Sequence, residues 1–237
     1  MNVYYDIRTV YPGDNLITLA MVADNDEYFY AEFNDFDKEG MNEMMMANIL
    51  PNLQFHEPKE GEQEYYIRHN HPFNGENAHS LEMRGNWYEI RENLIIWLDQ
   101  FKPETVQFVG DTVYFSAYAL QHFMDDGMEL PKHCNDYIAD VNQMMACSLL
   151  RRHLGIRKNG KTLSFAGAME VAHGWDRREI YDLVNGNDLN VEEPHFLTEA
   201  RIVRALYFTF SRMYFAPTTI IDANPTEDTV QEAKSDE

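Results

Sequence analysis

Three strand-like runs follow one another within the first 33 residues, and this constrains the fold more than any other feature. They are NVYYDI (2 to 7), LITLAMVA (16 to 23) and EYFYAEF (27 to 33). Each is rich in β-branched or aromatic residues and too short for an amphipathic helix. The turn segments PGDN (12 to 15) and DND (24 to 26) separate them, and turns this short join neighbouring strands, so the runs predict an antiparallel meander.

A change of period comes next. MNEMMMANIL (41 to 50) reads as a short helix stopped at Pro51. Residues 52 to 85 are rich in charge, His, Asn and Gly and read as an inserted loop with one strand, QEYYIR (63 to 68). Asn86 and Glu89 have capping-box spacing, and the helix they open carries Ile90, Leu94, Trp97, Leu98 and Phe101 on one face before Lys102-Pro103 ends it. TVQFV (105 to 109) is a further strand. The rest reads as helical: 114 to 124, about 136 to 154, about 163 to 173, about 176 to 184 and about 198 to 215, with a basic turn at 157 to 161. A meander, then a helix, a strand and a helical second half predicts an α/β domain whose mixed sheet is flanked by helices, the ribonuclease H-like layout. The domain is expected over 1 to 216, with its insertion at about 52 to 85. The acidic, polar segment 217 to 237 is expected to be a disordered tail.

Composition narrows the function classes. Hydrophobic residues make up 44% of the 237, enough for a sizeable core. Forty acidic residues against 19 Lys plus Arg give a formal net charge of -21, which repels polyanions at long range and disfavours a nucleic-acid partner. The same charge also serves plain solubility. Two cysteines without a pairing pattern, no apolar leader and no span-length apolar run predict a cytoplasmic protein with no membrane partner.

The opening Tyr4-Tyr5-Asp6-Ile7-Arg8-Thr9 resembles the 3'-5' exonucleases of the DEDD class, most closely their small exoribonuclease-like branch of bacteria and phages. Those proteins begin with aromatic-aromatic-Asp-Thr-Glu-Phe. The likeness continues through VQFVGDTVYFSAYAL (106 to 120) and PHFLTEARIVRAL (194 to 206). It implies a ribonuclease H-like fold and a site in which carboxylates hold two Mg²⁺ or Mn²⁺ ions. One ion would activate the attacking water, the other would stabilise the leaving oxygen, and a histidine would be the base.

Taken residue by residue, the resemblance assigns Asp6 to the first aspartate and His195 to the base. Glu199 stands for the last aspartate, one residue closer to the histidine than usual. Arg8 departs from the pattern, a permanent cation in place of a metal-binding glutamate. The second aspartate falls near Tyr114, Phe115 or Ser116, with Asp111 close enough to substitute. If the chain is active, the metal ligands are Asp6, Asp111 and Glu199, and the catalytic residues are Asp6, Glu199 and His195. The bland alternatives stay beside these: Asp6 and Glu199 as ion-pair partners of Arg8, and His195 as a residue that fixes the turn before the last helix.

Other groups have ordinary readings. Asp136 and Asp140, four apart on the expected helix, read as a solvated face. His69, His71 and His79 lack a third ligand for zinc. Met44 to Met46 suggest packing. Arg151, Arg152 and the 157 to 161 turn read as partners of a helix C-terminus. The expectation is an exonuclease-like pseudoenzyme that binds a protein, with a nucleic-acid-processing enzyme as one such partner. The alternative is an active 3'-5' exonuclease on single-stranded RNA or DNA.

Overall fold

The computed structural model describes residues 1–11, 14–55, 66–70, 80–111, 118–120, 122–123, 130–152, 157–158, 161–162 and 194–215. Its centre is a seven-stranded sheet made of β1 (Asn2–Tyr11), β2 (Asp14–Ala23), β3 (Tyr28–Phe33), β4 (Tyr66–Asn70), β5 (Ser80–Gly85), β6 (Val106–Gly110) and β7 (Cys134–Asp140). The spatial order is β4-β5-β3-β2-β1-β6-β7. Strands β1, β2 and β3 are the expected meander, antiparallel throughout. Strand β6 pairs parallel to β1 and β7 parallel to β6. On the other side β5 pairs parallel to β3, and β4 closes antiparallel to β5. This mixed α/β sheet flanked by helices has the ribonuclease H-like layout.

The described helices are α1 (Glu43–Asn48), α2 (Trp87–Asp99), α3 (Val141–Arg152) and α4 (His195–Phe215). Both predicted halves of the capping box of α2 form: the Asn86 side chain accepts from the Tyr88 and Glu89 amides, and the Glu89 carboxylate accepts from the Asn86 amide at 2.9 Å. Ile90, Leu94, Trp97 and Leu98 of α2 pack with Val3, Tyr5, Met21, Phe29 and Met83 on one face of the sheet. Helix α4 covers the other face, where Val203, Leu206 and Phe210 meet Tyr4 and Val109, while Phe196 and Leu197 meet Ala20 and Tyr30.

Three expectations need correction. Residues 52 to 85 are more than a loop with one strand: Ser80–Gly85 is a fully buried strand inside the sheet, because its LEMR run fills the slot between β3 and β4. Residues 134 to 140 form a strand, and the helix expected from 136 begins at Val141. Parallel pairing with β6 overrides a weak local helical pattern there. Asp136 and Asp140 therefore do not share a helix face. Asp140 instead caps α3, accepting from the Asn142 amide at 2.8 Å and the Gln143 amide at 3.3 Å. Lastly, α4 opens at His195, three residues before the expected start.

Arg157–Lys158 and Lys161–Thr162 pair as a two-stranded ribbon. The expected helices at 163 to 173 and 176 to 184, the tail from 217, and Tyr114, Phe115, Ser116, His71 and His79 lie outside the described residues.

Candidate functional site

The site forms where β1, the end of β6 and the first turn of α4 meet. Asp6 and Arg8 are two apart on β1, so the pleat puts both side chains on the face that α4 covers. The parallel register pairs Tyr5 with Gly110, which sets Asp111 just past the end of β6, beside Asp6. Gly110 is needed there, because a Cβ would come within 2.7 Å of the Tyr5 ring. Glu199 stands one turn into α4, one turn after His195.

Arg8 sits among the acids. Its Nε donates to Asp6 Oδ2 at 2.9 Å, and its Nη2 lies 3.9 Å from Glu199 Oε2. Its Cζ is 5.6 Å from the centre of the Phe196 ring, a cation-π contact on the same turn of α4. His195 Nε2 is 4.0 Å from Glu199 Oε1, too long for a hydrogen bond. Asp111 accepts a short hydrogen bond from the Asn142 amide group, and Asn142 is fully buried at the start of α3.

The charges in this cluster act on one another. The Asp6 carboxyl stands at about 6, the balance of burial, which pushes it up, the Arg8 guanidinium, which pulls it down, and the Glu199 and Asp111 carboxylates, which push it up. The Arg8 guanidinium is held protonated above its usual value, first by Asp6, against the opposing effect of its own burial, and then by Glu199 and Asp111. Asp6, Asp111, Glu199 and Arg8 thus form one electrostatic unit.

A divalent ion does not fit this unit as it stands. No group of three His, Cys, Asp or Glu among the described residues is arranged to hold a metal ion. One Asp6 oxygen, Oδ2, is already paired with the Arg8 guanidinium. Guanidinium has no lone pair to offer, and its positive charge repels a second cation.

Sequence reasoning brought Asp6, Arg8, Asp111, His195 and Glu199 to this place, and the structure gathers them at one corner of the sheet. It missed Phe196, the ring under Arg8, and Asn142, the donor to Asp111. Asp140 has the residue type of an N-cap, which locates the start of α3 but not the contact of Asn142 with Asp111 across 31 residues.

Fold and site together define an α/β protein of ribonuclease H-like layout in which a carboxylate cluster encloses an arginine. Neither a protein-family model nor a curated protein matches the sequence. Among the described residues no helix is long and apolar enough to cross a membrane.

Proposed function

We propose that this chain is a non-catalytic relative of the DEDD-class exonucleases, a scaffold that works by binding a protein partner in the cytoplasm. The observation that carries this reading is the 2.9 Å pair between Arg8 and Asp6, with Glu199 within reach of the same guanidinium. A two-metal hydrolase needs its first aspartate free to bind an ion. Here the neutralising charge is covalently part of the chain. Two cysteines with no partner, one of them buried, suit a reducing compartment. A net charge of -21 suits a basic partner, including a nucleic-acid-processing enzyme toward which the surface would mimic nucleic-acid charge.

The second reading is an active 3'-5' exonuclease with Mg²⁺ or Mn²⁺. It is favoured by the convergence of Asp6, Asp111 and Glu199. A nuclease time course separates the two. Labelled single-stranded RNA and DNA would be incubated with Mn²⁺ or Mg²⁺, beside the Asp6→Ala, Glu199→Ala double variant. The expected result is no cleavage above the variant with either metal. Cleavage by the wild type that the double variant lacks would overturn the scaffold reading in favour of the enzyme.

A further inference from the structure

A joined set of rings lies where the first turn of α2 meets the helical residues at 118–120 and 122–123, with Tyr88, Tyr118 and His122 exposed. The Tyr118 ring stacks on His122 at 6.0 Å with planes 6° apart. His122 meets the edge of Trp87 at 6.1 Å, and Trp87 packs on Phe123 at 4.8 Å. Arg91 links the set to Tyr88: its Nη1 donates to the Phe123 carbonyl oxygen at 3.5 Å, and its Cζ lies 5.7 Å from the centre of the Tyr88 ring. Phe123 is buried and anchors the set, whereas Tyr88 is 62% exposed and Tyr118 59% exposed.

Tyr88 and Tyr118 therefore contribute little to the core. Large aromatic rings held outward are the residue type that anchors protein interfaces. The exposed carboxylate of Asp35 borders the rings, through the hydrogen bond it accepts from the Trp87 amide at 3.1 Å. An aromatic face is electron-rich, and beside carboxylates it attracts a planar cation most strongly. The fold already uses this pairing twice, Arg8 on Phe196 and Arg91 on Tyr88.

We propose that this aromatic ledge docks an arginine-bearing basic surface of the partner protein, with guanidinium groups stacked on the face of Tyr88 opposite Arg91 and the face of Tyr118 opposite His122. The proposal rests on the scaffold reading and names the chemistry of its partner. Charge complementarity decides the occupant: the whole chain attracts cations, and the ledge adds a preference for guanidinium over ammonium, which lacks the flat surface that stacks. A single-stranded nucleic acid could offer bases to the same rings, but its phosphates would have to approach a chain of charge -21.

The test measures fluorescence anisotropy of labelled octa-arginine, octa-lysine and a short single-stranded DNA against the full chain, at low and at physiological salt. Octa-arginine should bind roughly fivefold more tightly than octa-lysine. The Tyr88→Ala, Tyr118→Ala double variant should lose that preference, and the Tyr88→Phe, Tyr118→Phe variant should keep it. Equal binding of the two peptides, or a preference that survives the alanine variant, would reduce the effect to bulk charge and overturn the proposal. Tighter binding of the DNA would overturn it as well. A circular dichroism melt checks that the variants fold. Nuclease activity in the earlier assay would sink the scaffold reading without touching this peptide comparison, and a lost arginine preference would leave that reading in place.

Discussion

Asp6 shows how a single residue can lower the stability of the fold that contains it. Its carboxyl is pushed from the ordinary 3.8 up to about 6, with burial as the largest cause. A folded-state value above the unfolded one means that the native state binds the proton more tightly. The contribution of Asp6 to stability therefore rises as pH falls through 6 toward 4. From pH 7 to pH 4.5 wild type should gain about 2 kcal/mol of stability relative to Asp6→Asn, because the asparagine cannot titrate. Urea unfolding of both proteins at the two pH values measures this. No gain, or a loss, of wild type relative to the variant would mean that the pair with Arg8 outweighs burial. The cation at position 8, two residues after Asp6, was legible in the sequence. What the guanidinium touches was not legible, because Phe196 and Glu199 reach it from nearly two hundred residues away.

At the scale of elements, local signals and long-range pairing had different success. The start of α2 was readable because a capping box uses only residues within one turn. Asn86→Ala should remove the acceptor for the Tyr88 and Glu89 amides and cost about 1 kcal/mol. Chemical denaturation reads this as a lower midpoint with an unchanged slope. Strands β5 and β7 were not readable. Ser80–Gly85 sits among polar neighbours, and its buried charges resemble a solvated loop. Glu82 is instead satisfied inside the fold, accepting from the Tyr28 hydroxyl at 2.8 Å and the Gln54 side chain at 2.9 Å. Glu32, on the neighbouring β3, accepts from the Tyr30 hydroxyl at 2.5 Å and from the Gln54 and Phe55 amides at 2.5 and 3.1 Å. Burial pushes the Glu32 carboxyl up, while these donors pull it down. Polar residues of this kind read as surface until their partners are known, and the partners of Glu32 lie up to 23 residues away.

The whole molecule carries a net charge of -21, and its positive charges are too few to balance the acids locally. Some cations are used structurally, as where Arg201 and Arg204 both pair with Asp26 at the β2–β3 turn and tie α4 to the sheet. The surplus of acid repels itself, so raising ionic strength from about 0.01 M to about 0.15 M, which shortens the Debye length from about 30 to about 8 Å, should raise the melting temperature. Differential scanning fluorimetry in sodium chloride tests this, and a melting temperature that falls with salt would show that attractive pairs such as Arg8–Asp6 dominate. The sequence by itself determined the meander, the caps, the acidic surface and the arginine placed two residues after Asp6, since each depends on residue identity and near neighbours. The tertiary structure alone decided that Asp111 lies beside Asp6, that Asn142 holds it, and that two acids close around one arginine. Those placements follow from parallel pairing of β1 with β6 and from the packing of α4, contacts between segments about 100 and about 190 residues apart, across which local propensity has no reach.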